Sequence, residues 1–578
     1  ALGALAVVVG GWLLQRQTLC RSGSSRVAAV WSAERRQALA AHFGTLGGAD
    51  AFARIGERLD RWAEDWSTQH REACEATRLR GEQSDQVLTV RMACLDRRLL
   101  EVEGALGVLA TTSGDSLPRA QDAVLSLTPL SVCANTTALL APVPRPEQPA
   151  MRERVEFIER ELSRAQALRE AGRFKEGLPL ATTAALEAHA LGWAPLEAEA
   201  LLVRGQLLDG NGEFALAEAT LRDAWTRAHA ARDDRLATLI AIDVSFVLNE
   251  LSRMKESDEW VWQASALAPR VGQDWELEAR VATQQGHLLY TRADFTGAEV
   301  RYRRAWELRR DHQGASHPRT VAMLANVANS IGAQGRFEQA AELLVDAARQ
   351  LEQALGRSHH KVGQAWNAVA EKLVALHRSA EALAAIDGIL PEQEKVLGAS
   401  SPFVARLHLG RAEALRELGK HEEALGEYQR SLATFEQASM PLMVGITLSA
   451  MGATSCALRR LDEGLAFTDR ARALLAETFG ADHEEATVAL EVRGECLLEA
   501  GKPQPALEAF VTSLAARERA GDEDWTARSL VGLGRAHLAL GHHADAKTLL
   551  ARAVTSLEKS KLDDALLDTA RGALASAR

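Results

Sequence analysis

The chain has 578 residues, 47% of them hydrophobic and 25% charged, with a formal net charge of −11 and a pI near 5.9. That acidic balance argues against a general nucleic-acid binder, which needs a basic face to neutralise phosphates, while basic peptides remain suitable partners. With only three tyrosines in the whole chain, the interior must be built from Ala and Leu more than from rings, as closely approaching helices require.

The chain starts at Ala1 without Met, and Ala1 to Leu14 is an uncharged run containing Val7, Val8, Val9 and Trp12. It falls short of the roughly 20 residues needed to cross a bilayer. A buried helix and the second half of a transmembrane helix both fit. Trp12 at an interfacial position and the abrupt polarity of Gln15-Arg16-Gln17 favour a truncated span over residues 1–17.

Residues 18–140 read as a small helical domain. Trp31 and Phe43 mark one amphipathic helix, and Phe52, Ile55, Leu59, Trp62 and Trp66 recur at three- and four-residue steps in a second. Gly81 to Ser84 reads as a turn. Cys74 lies ten residues before Ser84 and Cys94 ten after it, so an antiparallel hairpin is expected to set these two opposite each other. Cys20 and Cys133 would then pair by elimination. In an oxidising compartment four cysteines in one segment form a disulfide pattern; buried thiols are the alternative. Cys456 and Cys496 fall inside later helices, where they read as packing residues. Pro142, Pro144, Pro146 and Pro149 then make residues 141–151 an extended, stiff connector and a domain boundary.

Residues 152–560 repeat a short phrase. Gly335-Arg336-Phe337 with Ala340 is the clearest copy, and it returns at Phe174, Phe214, Met254, Phe295, Ser379, His421, Leu461, Pro503 and His543, at steps of 40 to 42 residues. Nine residues before each of these anchors stands Ala165, Gly205, Ser245, Gly286, Ala328, Ala370, Ala412, Gly452, Gly494 or Gly534. Ten after it the residue is small again, with Ile389 as the one large exception. Small residues at fixed points let paired helices approach to about 8–10 Å. Each unit is therefore expected to be a helix hairpin with a glycine at its turn, replaced by Arg253, Arg378 and Arg460 in the units anchored at Met254, Ser379 and Leu461. Residues 561–578 read as a polar capping helix carrying Leu562, Leu566, Leu567 and Leu574.

This pattern resembles the tetratricopeptide repeat, and the longer units, with connections such as Gly314-Ala315-Ser316-His317-Pro318, are similar to those of kinesin light chains. The resemblance implies an all-α, right-handed solenoid whose first helices line a groove. On that geometry the groove residues are Asn249, His287, Tyr290, Asn329, Asn367, Glu371, Arg406 and Glu413, whose amides and charges suit a protein or peptide ligand. They are equally the solvated positions of ordinary helices.

A second resemblance rests on Glu72-Ala73-Cys74-Glu75-Ala76-Thr77-Arg78 and Arg91-Met92-Ala93-Cys94-Leu95-Asp96-Arg97-Arg98 between a span and a repeat array. This order looks like the C-terminal sensor half of bacterial, myxobacterial-type transmembrane serine/threonine protein kinases. It implies a kinase domain upstream of residue 1 and membrane attachment through the first helix; the competing reading is a stand-alone assembly scaffold. Within the chain there is no glycine-rich loop with a strand lysine, no His-Arg-Asp and no Asp-Phe-Gly. The expectation is accordingly a non-enzymatic binding region with no cofactor, metal or nucleic acid, the pairs His359-His360 and His542-His543 being turn residues. The cysteines point to an extracytoplasmic, periplasmic location for the repeats. Arg16, Arg21 and Arg26 point to the cytoplasmic side instead.

Overall fold

A computed structural model describes residues 20, 23–114, 116–251, 253–520, 523–560 and 564–577, and all their regular structure is helical. The truncated span expected at residues 1–17 lies outside the described residues. Among those described, no helix is long and apolar enough to cross a membrane. The chain divides into two compact units, one of residues up to 324 together with 353–359, the other of residues 325–352 with 360 onward.

The first unit opens with α1 (Gly23–Val30), α2 (Ala33–Thr45), α3 (Ala49–Arg78) and α4 (Asp85–Ala110). The stripe Phe52, Ile55, Leu59 and Trp66 faces inward and is buried. The Trp66 indole donates to the Leu95 carbonyl at 2.8 Å, fixing α3 against α4. Ser84 starts α4 by accepting from the Val87 N–H, which supplies one of the partners that the first turn of a helix lacks.

The disulfides correct the expected pairing. Cys20 is bonded to Cys74 and Cys94 to Cys133. Cys74 stands four residues from the end of α3 whereas Cys94 stands nine into α4. At 1.5 Å of rise per residue the two are offset by about 7 Å along the hairpin. Counting from Ser84 ignored the turn, which takes up Leu79 to Ser84 unevenly. Cys456 and Cys496 are bonded as well, and are more than packing residues.

After the short helices α5 (Ala120–Leu125) and α6 (Thr136–Leu140), the proline segment runs to Gln148 and α7 begins at Pro149. The stretch from Asn135 through the proline segment is strapped down: the Val143 N–H donates to the Ala231 carbonyl at 2.9 Å, and the Asn135 amide donates to the carbonyls of Val271 and Gln273 at 3.3 Å. Helix α4 lies so close to α7 (Pro149–Glu170) that a Cβ on Gly104 would come within 2.7 Å of the Ser163 carbonyl oxygen. The helices on either side of the proline segment thus pack within one unit.

Hairpins follow in pairs: α7 with α8 (Phe174–Leu191), α9 (Ala194–Gly210) with α10 (Phe214–Ala230), α11 (Asp234–Glu250) with α12 (Met254–Leu267), and α13 (Trp275–Thr291) with α14 (Phe295–Gln313). Next come α15 (Pro318–Ala333) and α16 (Phe337–Leu355), in which the division between the units falls. The second unit continues with α17 (His360–Ala375), α18 (Ser379–Asp387), α19 (Leu390–Leu397), α20 (Pro402–Glu417), α21 (His421–Gln437), α22 (Pro441–Ala457) and α23 (Leu461–Phe479). It ends with α24 (Glu484–Glu499), α25 (Pro503–Ala520), α26 (Glu523–Ala539), α27 (His543–Ser560) and α28 (Asp564–Ser576). Leu566 and Leu567 pack against the cluster of Ala527, Leu530, Ala553 and Leu557, and Leu574 against Ala546 and Leu550.

The column of small residues has a direct packing cause. A Cβ on Gly205, Gly286, Gly494 or Gly534 would strike Leu221, Tyr302, Phe510 or Leu550, each on the second helix of the same hairpin. The large Ile389 coincides with a break. Gly388-Ile389 separates α18 from α19, and Pro391, with no N–H to continue the ladder, opens the new helix.

The turn glycines Gly172, Gly212, Gly335, Gly419, Gly501 and Gly541 all have positive φ. Their counterparts in the irregular units are His377 (φ 56°) and Arg459 (φ 64°), with Ala293 (φ 59°) as another. Arg378 and Arg460 stand one residue later at the helix N-caps with negative φ. The expected replacements were therefore off by one position; the counterpart beside Arg253 is Ser252, outside the described residues.

Candidate partner-binding site

In the first unit, α4 turns the Arg91-to-Arg98 block toward the hairpins. Arg97 pairs with Glu159 of α7 at 3.4 Å and with Glu199 of α9. Burial works against its charge, but the two carboxylates outweigh this and hold its pKa above the ordinary value. Arg98 pairs with Glu101 at 2.8 Å, and the Arg91 guanidinium donates to the Cys133 carbonyl at 3.2 Å. The disulfide of Cys94 with Cys133 ties the same helix to the start of the strapped segment. Of these residues, Cys94, Arg97, Arg98, Glu101, Glu159 and Glu199 line a cavity of about 440 Å³.

The opposite wall comes from the first helices of successive hairpins: Gln166 on α7, Gln206 on α9, Arg235 and Leu239 on α11, Arg280 on α13 and Arg319 on α15. Arginine–carboxylate pairs dominate this wall, including Arg235 with Asp274 at 2.7 Å. Such a lining supplies fixed donors and acceptors to a polar chain, with ion pairs holding the arginines in position.

Further along the same inner surface three carboxylates converge. Asp209 on α9 is pushed up to about 6 by burial, reinforced by Asp243 and Glu250 of α11. Its Oδ1 has no hydrogen-bond partner, and neither carboxamide atom of Asn249, the residue before Glu250 on α11, has one, although all three atoms are shielded from solvent. Gln206 donates to Asp243 at 2.6 Å. Next along, burial lowers the pKa of His287 on α13, against the opposing influence of Glu250.

The second unit presents a separate polar row. The Asn367 amide on α17 donates to Glu371 at 2.8 Å. Glu371 is exposed to solvent, yet its carboxyl is raised by the loss of water around it, with Lys372 and Arg406 pulling the other way. Arg406 on α20 is exposed. Glu413, by contrast, is engaged within its own hairpin, accepting from the Tyr428 hydroxyl at 2.6 Å and pairing with Arg416 at 2.9 Å.

A family model described as the tetratricopeptide repeat matches residues 444–519, and another of the same description matches 162–232 and 370–439. These segments are tetratricopeptide repeats. Among solved structures, a Rap protein complexed with competence and sporulation factor is similar at 15% identity over 63% of this chain and 98% of its own, with a TM-score of 0.44. A putative kinesin light chain of Podosopora anserina is similar at 17% identity over 35% of this chain and 98% of its own, with a TM-score of 0.30. BtubC (BKLC) from P. vanneervenii is similar at 14% identity over 39% of this chain and 92% of its own, with a TM-score of 0.33. No curated protein matches the chain by sequence.

The expected groove residues fall in two sets. Asn249, His287 and Tyr290 belong to repeats of the first unit, and Asn329, Asn367, Glu371, Arg406 and Glu413 to the second. Tyr290 meets Phe295 of its own repeat edge to face at 5.2 Å, so its ring staples the hairpin turn. Asn329 is half-buried on α15. Asp209 was missed, although it stands five residues before its anchor, in the register of Asn249 and Tyr290. The arginine wall was missed too, because its members take their meaning from α4, which carries no repeat.

Proposed function

We propose that this chain captures an extended protein or peptide segment bearing basic residues on the inner faces of its repeats. The observation that carries this is the Asn249 carboxamide, shielded from water with both polar atoms unpaired, on the helix whose Asp243 and Glu250 act on the carboxylate of Asp209. Shielded polar groups in folded proteins are nearly always hydrogen-bonded, so an unpaired amide beside clustered carboxylates is poised for main-chain groups and a cation from a ligand. The cavity walled by α4 and the first helices extends the same surface.

The finer reading is that the chain is the sensor portion of a membrane-anchored serine/threonine kinase, with the repeats on the extracytoplasmic side. It is supported by the resemblance of the blocks around Cys74 and Cys94, and by the engagement of all six cysteines in disulfides, which persist in oxidising compartments. Binding in the groove would then bias the association of chains whose upstream part carries out phosphoryl transfer.

The test is a selection of random peptides on the purified chain, followed by calorimetry. Selected peptides are expected to be enriched in Lys and Arg and to lose at least tenfold in affinity on Asn249→Ala, with the melting temperature unchanged. Equal affinity for both proteins would place the site elsewhere, and the double replacement Asn329→Ala with Asn367→Ala then examines the second unit. An upstream reading frame lacking a kinase domain would end the sensor reading and leave a free-standing scaffold.

A further inference from the structure

The turn of the last hairpin departs from the pattern of the others in a coordinated way. Where α26 gives way to α27, Gly541 has φ 78° and the His542 N–H donates to the His537 carbonyl at 2.9 Å. This is the helix-ending motif in which the residue after the left-handed glycine and the residue five before it are brought side by side, normally for an apolar contact. Six residues before the anchor, Leu168, Leu208, Leu248, Leu289, Ile331, Leu373, Leu415 and Leu497 fill the inner of these two positions, and only Ser455 and His537 depart. The outer position forms an acid pair in other repeats, as in Arg173 with Glu176, Arg253 with Glu256 and Arg378 with Glu381. Here that pair of positions is occupied by His542 and Asp545.

The two histidines thus join a carboxylate at one point, giving three metal-ligating side chains. The Nδ1 atoms of His537 and His542 are 3.3 Å apart, His537 Nδ1 is 4.0 Å from Asp545 Oδ2, and one ligand atom from each residue lies within 4.8 Å of the other two. A tetrahedral zinc ion with bonds of about 2.0–2.1 Å holds its ligand atoms about 3.3–3.4 Å apart. The two imidazoles already stand at that separation, and the carboxylate, on an exposed side chain, needs to close on His537 by less than 1 Å. His537 is half-buried while His542 and Asp545 are exposed, leaving coordination positions open to water or to a partner's side chain.

We propose that His537, His542 and Asp545 form a binding site for a divalent transition-metal ion of the zinc class. Two imidazoles and one carboxylate suit zinc over magnesium or calcium, which take oxygen ligands. The ion would clamp the end of α26 to the start of α27 at the last tetratricopeptide turn. It is independent of the inner surface proposed to hold peptide.

Calorimetric titration of the full chain with zinc chloride at pH 7.5 tests this, with magnesium chloride as the control. Wild type should take up one equivalent of zinc that is lost, or weakened at least tenfold, in His542→Ala and in His537→Leu. The second variant restores the leucine that other hairpins carry and should keep the fold. His543→Ala should retain the equivalent, since that residue is outside the cluster. The same zinc uptake by wild type and His537→Leu, or its loss in His543→Ala alone, would overturn the assignment.

Discussion

Gly452 and Gly464 face each other across one hairpin. A Cβ on Gly452 would stand 3.1 Å from the Gly464 carbonyl oxygen, and one on Gly464 would stand 2.9 Å from the Gly452 carbonyl oxygen. The first belongs to the small column nine residues before the anchor Leu461, the second to the small column three after it. The opposing atoms are backbone and cannot swing away, and Cys456 Sγ crowds Gly464 as well. Gly464→Ala should therefore lower stability by about 1–3 kcal/mol through overpacking, despite a helix-propensity gain of about 1 kcal/mol. Gly426 is exposed within α21 with nothing within 4 Å of its absent Cβ, so Gly426→Ala should raise stability by about 0.5–1 kcal/mol. Opposite shifts of the urea midpoints check both.

Those columns were legible because a helix crossing constrains side-chain size directly. A hairpin needs a small residue where backbones touch, and Ala165, Gly205 and Gly452 state that need one unit at a time. The turns were legible for the same reason wherever glycine stands, and less so where His377 and Arg459 take up a left-handed conformation usually left to glycine. The disulfide partners were not legible. They depend on how deep each cysteine lies along α3 and α4, and on where the segment around Cys133 returns, neither of which a spacing count contains. The candidate site was half visible: the positions of Asn249 and His287 follow from register, but the arginine wall exists only because α4 packs on repeats far from it in sequence.

The crosslink between Cys456 on α22 and Cys496 on α24 joins the first helices of neighbouring repeats. It closes a loop of 40 residues, worth about 4 kcal/mol at most in the chain-entropy account and about 2–4 kcal/mol in typical practice. Replacing both cysteines with alanine should lower the unfolding free energy by that amount while helicity at 25 °C is retained. In the same protein, non-reducing peptide mapping should recover Cys20 with Cys74 and Cys94 with Cys133. A fragment joining Cys74 to Cys94 would contradict the fold of the first unit.

Ala293 closes the turn between α13 and α14 at φ 59°. A residue with a Cβ pays about 1–2 kcal/mol for that conformation, and glycine does not. Ala293→Gly releases the strain but gains unfolded-chain entropy, so the net expectation is a stabilisation of up to about 1 kcal/mol. Gly212→Ala, at the equivalent turn with φ 79°, should move the urea midpoint the other way.

Asp209 makes stability depend on pH in a direction opposite to that of a salt-bridged acid. Its folded pKa of about 6 lies above the ordinary 3.8, so between these values the folded state binds more protons than the unfolded one. The contribution of this residue to stability consequently falls as pH rises from about 4 to 6, and the loss is complete above that window. A shift of about two units corresponds to at most about 3 kcal/mol, and to less at a carboxylate that is only partly buried and screened by solvent. Asp209→Asn should therefore be more stable than wild type at pH 7, with the difference vanishing near pH 4. A basic peptide bound beside Asp209 would lower its pKa and release up to about half a proton at pH 6. Calorimetry at that pH in two buffers of different ionisation enthalpy should detect the proton in wild type and not in Asp209→Asn, which ties the carboxylate cluster to the ligand it is proposed to hold.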